Sequence, residues 1–283
     1  MSYEKITVVI NTFNSDDKIN QCLESIKSKV KIIVVENSNN LILKNELEKK
    51  YANLNCILTG ENLGYAKGNN LGLSKVQSEY ALILNPDAIL DKNTLDNFLV
   101  SANNLEDFAI IGPAKQDEYS KIDIHADKEQ VFQVNSLKGF AMFLNLKQFD
   151  NIGLFDENFF IYLEEIDLCK RLRSHNKKIY LDKKVVINHI GGSSHNKQID
   201  FEMELSRNWH WMWSLFYFNK KHYGYIFALL SVSKKFFSSL IKIILYSLIF
   251  NQYKKKIYLH RFSGLYNSII GNKSWYRPKI NNN

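Results

Sequence analysis

Tyr80-Ala81-Leu82-Ile83-Leu84-Asn85-Pro86-Asp87 is a five-residue apolar run that stops on a polar turn. A short apolar run bounded by turn residues reads as a buried strand. The same unit recurs upstream. Ile6-Thr7-Val8-Val9-Ile10, rich in β-branched residues, ends at Asn11-Thr12-Phe13-Asn14. Ile32-Ile33-Val34-Val35 ends at Glu36-Asn37-Ser38, and Asn55-Cys56-Ile57-Leu58 precedes Asn62-Leu63-Gly64-Tyr65-Ala66-Lys67-Gly68-Asn69-Asn70. Helical patterns lie between these runs: residues 16–29, with Ile19, Cys22, Leu23 and Ile26 at helical spacing, then 41–51 and 66–76. Strand alternating with helix predicts an α/β fold with a mostly parallel central sheet. Such sheets bind ligands beyond the carboxyl ends of their strands, and here those ends carry the polar turns.

Residues 105–200 read as more irregular, with a strand over 139–146, a helix over 164–175 and a strand over 185–188. That last strand leads into His189-Ile190-Gly191-Gly192-Ser193-Ser194. From about 201 the pattern turns helical, aromatic and basic. The expected organisation is a catalytic domain over 1–200, with halves of about 1–110 and 111–200, and a helical, amphipathic extension over 201–283. With 283 residues and 45% hydrophobic content, the chain can bury a large core and carry an appendage. Cys22, Cys56 and Cys169 are widely separated and form no CxxC pair, which speaks against a zinc site or a disulfide framework and fits a reducing cytosol. The opening Met1-Ser2-Tyr3-Glu4-Lys5 lacks the apolar stretch of a signal peptide, so the catalytic part is expected to be cytoplasmic.

Four segments could carry chemistry. Asp87, just past a buried strand, could hold Mg²⁺ or Mn²⁺ through oxygen beside a diphosphate; Asn-Pro-Asp is also an ordinary turn. Glu164, Glu165 and Asp167 fall within one helical turn. One of them could act as general base, or all could match the helix dipole. His189 at a strand end could complete a metal site, with Gly191-Gly192-Ser193-Ser194 offering N–H groups to phosphate; a lone His is also often structural. Gly64 and Gly68 allow close backbone approach in the loop from Asn62 to Asn70. That loop is not GxGxxG, so the dinucleotide fingerprint is missing and a nicotinamide oxidoreductase is disfavoured.

Together and in order, these stretches resemble glycosyltransferase family 2 enzymes of the GT-A fold, in particular the rhamnosyltransferase-like branch that builds bacterial surface polysaccharides such as O-antigen or capsule. The matching segments also include Gly153-Leu154-Phe155-Asp156-Glu157-Asn158-Phe159-Phe160 and the run from Tyr162 to Arg173, and they span about residues 5–195. The resemblance implies an inverting, metal-dependent sugar transfer. Asn85-Pro86-Asp87 stands where the family has its DxD-type motif, so Asp87 is expected to bind metal and diphosphate with Asn85 beside it. His189 is expected to reach the same metal. Thr12, Asn14, Glu36, Asn62, Gly64, Gly68 and Asn69 are expected to hold the nucleotide; the family usually has Asp at position 36. Glu165 stands where the family's base is usually Asp, with Glu164 and Asp167 as fallbacks. Asp156 and Glu164 are expected on the acceptor side. The implied partners are a nucleoside-diphosphate sugar, with dTDP-rhamnose favoured, and a lipid-linked saccharide acceptor.

The charge distribution bears on location. Of 37 Lys and Arg residues, 13 lie in 201–283, against only Glu202 and Glu204 as acids there. Lys234, Lys235 and Lys242 interrupt the apolar sequence, leaving uncharged stretches of 12, 6 and 11 residues between 222 and 253. None reaches the roughly 20 residues of a spanning helix. Basic, aromatic, amphipathic helices suit the membrane interface, which predicts a peripheral protein on the inner face of the cell membrane. A helical cap or a homodimer interface is the competing reading. Nucleic acid is not expected, because no recognised module accompanies the charge. From another function class, a non-catalytic sugar-nucleotide binder in a polysaccharide assembly complex is the alternative.

Overall fold

A computed structural model describes residues 2–105, 107–114, 130–189 and 199–278. It falls into two compact units. The first comprises Met1–Leu63, Lys67–Phe155 and Glu165–Asn196; the second comprises Gly64–Ala66, Asp156–Glu164 and Lys197–Asn283.

The first unit is built on an eight-stranded sheet. Its strands are β1 (Ile6–Thr12), β2 (Lys31–Glu36), β3 (Leu54–Leu58), β4 (Tyr80–Leu84), β6 (Phe108–Pro113), β7 (Val131–Gln133), β8 (Ala141–Asn145) and β9 (Lys178–Asp182). A separate two-stranded ribbon pairs β5 (Ala88–Leu90) with β10 (Ile187–His189). The large sheet runs β3-β2-β1-β4-β8-β6-β9-β7. β3, β2, β1 and β4 are mutually parallel, as are β6 and β9, while β8 runs antiparallel to both β4 and β6. The helices are α1 (Asp16–Glu24), α2 (Leu41–Lys50), α3 (Gly64–Leu73), α4 (Thr94–Asn104) and α5 (Glu164–Ser174). Ile6, Val8, Val9 and Ile10 are wholly buried. A strand covered on both faces needs such a continuous apolar run. Phe143 stacks on Phe98 with ring centroids 4.7 Å apart, and Tyr80 and Phe108 complete the aromatic centre of the core.

Two expectations change. The helix expected over 16–29 stops at Glu24, although Ile26 is still buried; Ser25 closes the turn by donating its hydroxyl to the Cys22 carbonyl at 2.6 Å. Residues 105–189 hold more regular structure than expected. β6, β7 and β9 all lie there, and β6 is buried along its whole length.

The second unit is dominated by three helices: α6 (Asp200–Tyr223), α7 (Tyr225–Leu248) and α8 (Gln252–Ile269). α6 and α8 approach closely at Gly264, where an added Cβ would lie 2.1 Å from the Trp209 carbonyl oxygen. Trp209 is fully buried and donates to Ser263 Oγ at 3.2 Å, and Trp213 donates to the Asn272 carbonyl at 3.0 Å. Met212, Phe216, Ala228, Val232 and Leu265 form a small core among the three helices. α7 leaves a row of large apolar side chains uncovered, including Ile226, Leu230, Phe237, Ile241, Ile244 and Leu248. Among the described residues, no helix is long and apolar enough to cross a membrane.

Candidate active site

The sheet order reverses between β1 and β4: β1 leads to β2 and β3 on one side, and β4 lies on the other. Ligands bind in the crevice at such a switch point, beyond the strand carboxyl ends. Four of the expected residues, Thr12, Asn14, Asn85 and Asp87, sit at those two ends. Glu36 ends the neighbouring β2 and is paired in register with Thr12.

Asp87 is confined, with a side chain only 1% exposed. Pro86 precedes it, and the turn is closed by Ala88 N–H donating to the Asn85 carbonyl at 3.1 Å. Asn85 is fixed in turn by its N–H to the Phe140 carbonyl, at 2.8 Å. The β5–β10 ribbon pairs Ala88 with His189, so two residues distant in sequence become neighbours. His189 Nε2 lies 3.2 Å from Asp87 Oδ1, and its ring stacks on Phe140 at 4.4 Å. Asp87 Oδ1 makes no hydrogen bond among the described residues. The imidazole is near it but not aligned to donate. A buried carboxylate oxygen in that state calls for another partner. No group of three or more His, Cys, Asp or Glu residues that could hold a metal occurs among the described residues. The two-residue donor set therefore fits a cation that draws its remaining ligands from water and substrate phosphate. Gly191-Gly192-Ser193-Ser194 lies outside the described residues.

The loops beside β1 and β2 are tied to one another. Asn37 donates from Nδ2 to Asn11 Oδ1, and its own Oδ1 accepts from Leu63 N–H at 3.1 Å. A Cβ added at Gly68 would fall 2.6 Å from Asn11 Nδ2, so glycine lets α3 approach the end of β1. Glu36 is fully buried, and its two carboxylate oxygens accept from Ser38 N–H at 2.9 Å and Asn40 N–H at 2.6 Å. Glu36 thus braces its own loop. Asn40 goes on to cap α2, accepting from Leu43 N–H at 3.0 Å. Thr12 Oγ1 and Asn14 Nδ2 are buried polar atoms with no hydrogen-bond partner among the described residues. Asn14 is held in the left-handed region at φ 47°. Asn69 is fully buried and Asn62 partly so.

The three acids of α5 have different surroundings. Asp167 is wholly buried and takes Arg171 Nε at 2.8 Å, and that arginine also donates to the carbonyls of Ile152, Gly153 and Leu154. Asp167 is therefore committed to an ion pair that shapes residues 152–154. Burial raises the Glu165 carboxyl above the usual carboxylate range, only partly offset by the N–H groups of Glu165 and Ile166 and by the charge of Lys138. Its carboxylate form is a stronger base than an exposed one. Glu164, which belongs to the second unit, is buried.

In that second unit, Asp156 accepts from Tyr217 Oη at 2.9 Å and Lys221 Nζ at 2.7 Å. Asn158 adds its N–H at 3.0 Å and its Nδ2 at 2.8 Å. Burial would raise the Asp156 carboxyl, but the hydrogen bonds from Lys221 and Asn158 outweigh it and hold the group below the usual range. Gly64 has φ 76°, and any Cβ there would strike Phe160; the next residue, Tyr65, donates its N–H to the Phe160 carbonyl at 2.7 Å. Just before α5, Tyr162 and Leu163 have φ of 76° and 67°. Two consecutive left-handed non-glycine residues cost about 1–3 kcal/mol each, strain that tends to gather at functional sites. Sequence reading gives no warning of it, because neither residue type favours that conformation. Phe140, the platform under His189, is equally hidden: in the sequence it is one apolar residue of the strand expected over 139–146.

The family model described as Glycosyl transferase family 2 matches residues 7–168. The chain belongs to that family. It is 25% identical over 199 residues to the low-salt glycan biosynthesis hexosyltransferase Agl10 of Haloferax volcanii, a match covering 62% of this chain and 64% of that protein. It therefore spans less than two thirds of that relative's length. It is also 27% identical over 203 residues to the rhamnosyltransferase WbbL of Escherichia coli, covering 59% of this chain and 76% of that one. Among solved structures, the mannosyltransferase PcManGT of Pyrobaculum calidifontis, in complex with GDP-Man and Mn²⁺, superposes with a TM-score of 0.59 at 12% identity over 94% of this chain and 87% of that chain. S. aureus TarS 1–349 in complex with UDP-GlcNAc gives 0.51 at 16% identity, over 96% and 93%. At these identities the likeness is one of fold, and the fold is GT-A.

Proposed function

We propose that the chain transfers a sugar from a nucleoside diphosphate to a hydroxyl of a saccharide acceptor, with inversion at the anomeric carbon. The observation that carries this reading is the buried, unsatisfied Asp87 oxygen facing His189 at the sheet's switch point. Asp87 and His189 would hold a divalent cation, Mg²⁺ or Mn²⁺, and PcManGT was solved with Mn²⁺. When bound, that ion neutralises charge developing on the departing diphosphate. Thr12, Asn14, Glu36, Asn62, Gly64, Gly68, Asn69 and Asn85 are assigned to the nucleotide side. Glu36 acts there by shaping its loop, while the unsatisfied Thr12 and Asn14 atoms offer direct contacts.

Glu165 is the assigned base, since Asp167 is engaged by Arg171. Its carboxylate takes the proton of the acceptor hydroxyl. The oxygen's electron pair forms the new bond to the anomeric carbon from the face opposite the diphosphate. The bond from that carbon to the phosphate oxygen breaks, and its electrons leave with the nucleoside diphosphate. Asp156 and Glu164 are assigned to the acceptor side. The name of WbbL supports rhamnose, and that of Agl10 supports glycan assembly. We therefore favour dTDP-rhamnose as donor and a lipid-linked saccharide of surface polysaccharide synthesis as acceptor, met at the inner face of the cell membrane.

The test is release of nucleoside diphosphate from dTDP-, UDP- and GDP-sugars, with Mn²⁺, Mg²⁺ or EDTA and a lipid-linked acceptor extract. Release from one donor, dependent on metal and lost in Glu165→Gln, is expected. Donor binding without turnover across varied acceptors would instead favour a non-catalytic sugar-nucleotide binder.

A further inference from the structure

The second unit contains a basic pocket with no assigned role. It has a volume of about 260 Å³ and is lined by Lys234, Lys235, Ser238, Ser239 and Lys242 of α7 with Tyr258 and Arg261 of α8. Four cations and three hydroxyls face this space, and no acidic residue lines it. None of the four cations forms an ion pair among the described residues. Lys242 Nζ lies 3.1 Å from Tyr258 Oη and 4.8 Å from its ring centre, and Arg261 packs 5.5 Å from the same ring. Tyr258 thus holds two cations in place on one wall. Gathering like charges in a concavity is unfavourable until an anion neutralises them. Lysines, an arginine and hydroxyls together are the donor set that recognises phosphate oxygens.

The pocket's position on α7 suggests what carries the phosphate. At 3.6 residues per turn, Lys235, Ser238, Ser239 and Lys242 share one side of the helix. The exposed row of Ile226, Leu230, Phe237, Ile241, Ile244 and Leu248 is centred about two fifths of a turn away, with Ile241 and Ser238 closing the gap to about a sixth. Leu230 and Leu248 are each 71% exposed, so the row is uncovered from one end of the helix to the other. A cationic cup on a helix that also carries a long apolar strip complements a molecule with a phosphate head and hydrocarbon chains.

We propose that the pocket between α7 and α8 binds the head-group phosphate of an anionic phospholipid, with the apolar row of α7 lying in the acyl boundary beside it. This deepens the membrane side of the proposed function and is independent of its transfer chemistry. The experiment uses the full chain without sugar nucleotide and measures co-flotation with phosphatidylcholine vesicles, with or without phosphatidylglycerol. Two charge-matched triple variants are compared: Lys235→Gln/Lys242→Gln/Arg261→Gln in the pocket, and Lys254→Gln/Lys255→Gln/Lys256→Gln on α8 outside it. Diffuse attraction depends on the number of charges near the surface and would weaken both triples alike. The expected result is phosphatidylglycerol-dependent binding that falls about tenfold further in the pocket triple than in the other. Circular dichroism of both variants checks that the helices persist, and Ile241→Glu, which leaves the pocket charges intact, must also weaken binding. Equal losses in the two triples would overturn the proposal. So would binding of inorganic phosphate at the pocket without preference for anionic vesicles, or a vesicle-free dimer that Ile241→Glu disperses. Donor turnover measured on the same variants stays interpretable whichever result is obtained.

Discussion

Glu165 occupies a position that is unfavourable for the folded state. Burial raises its carboxyl in the folded chain above the value it has when unfolded. The destabilisation is absent below the unfolded value of about 4.3, grows as pH rises toward the folded value, and is complete above it. Glu165→Gln is therefore expected to melt at a higher temperature than the parent at neutral pH, with the difference closing in acid, while transfer falls by about 10²-fold or more. A thermal scan against pH beside the activity assay checks both parts; a destabilised variant at neutral pH would remove the argument from burial. For the parent enzyme, kcat/KM should fall on the acid side at a pH above the ordinary carboxylate range. Asp87 calls for a different measurement. Asp87→Asn keeps the shape but withdraws the negative charge, so Mn²⁺ should no longer raise donor affinity, as titration calorimetry with and without EDTA would show. Undiminished metal dependence in that variant would move the cation site elsewhere.

The elements show where sequence is informative and where it is not. Tyr80–Leu84 reads as a strand and is one, because its five apolar residues are buried on both faces and the Asn-Pro-Asp turn stops it. Ile26 shows the limit of periodicity: it reports burial, and the helix has ended before it. Phe108–Pro113 was obscured because Gly112 and Pro113 read as punctuation, yet Gly112 is where Leu137 packs against the strand. At the candidate site, the strand-end polar residues were visible from local pattern, whereas their roles rested on family resemblance. The three-residue β5–β10 ribbon was not legible, since nothing local in Ala88–Leu90 announces a partner a hundred residues on. Gly68 has its own test. Gly68→Ala should push Asn11 out of its link with Asn37, at an overpacking cost of about 1–3 kcal/mol. Donor affinity should drop with it while the far end of the sheet stays protected from hydrogen exchange. Unchanged donor affinity would separate α3 from the nucleotide.

At the scale of the whole chain, the helical unit is expected to lose stability in acid. His210 is buried in the second unit, where burial lowers its pKa to about 3. Its Nε2 meets the Tyr276 carbonyl at 2.9 Å, so it carries the proton there and leaves Nδ1 to accept from Ser274 Oγ at 3.0 Å. Its stabilising contribution is complete above the unfolded histidine value of about 6.5 and is lost as pH falls toward the folded value. Calorimetry from pH 7 to pH 4 should show the melting of the helical unit moving down, an effect missing in His210→Gln. A parallel shift in that variant would point to other groups. The placement of the indoles has a spectroscopic consequence. All four tryptophans, Trp209, Trp211, Trp213 and Trp275, belong to the second unit, and the sheet unit has none. Light absorbed near 295 nm therefore excites the helical unit alone, a selectivity that comes with the native sequence and needs no added dye. Emission under that excitation, followed beside far-ultraviolet ellipticity during denaturation, reports whether the sheet outlives its helical companion or unfolds with it.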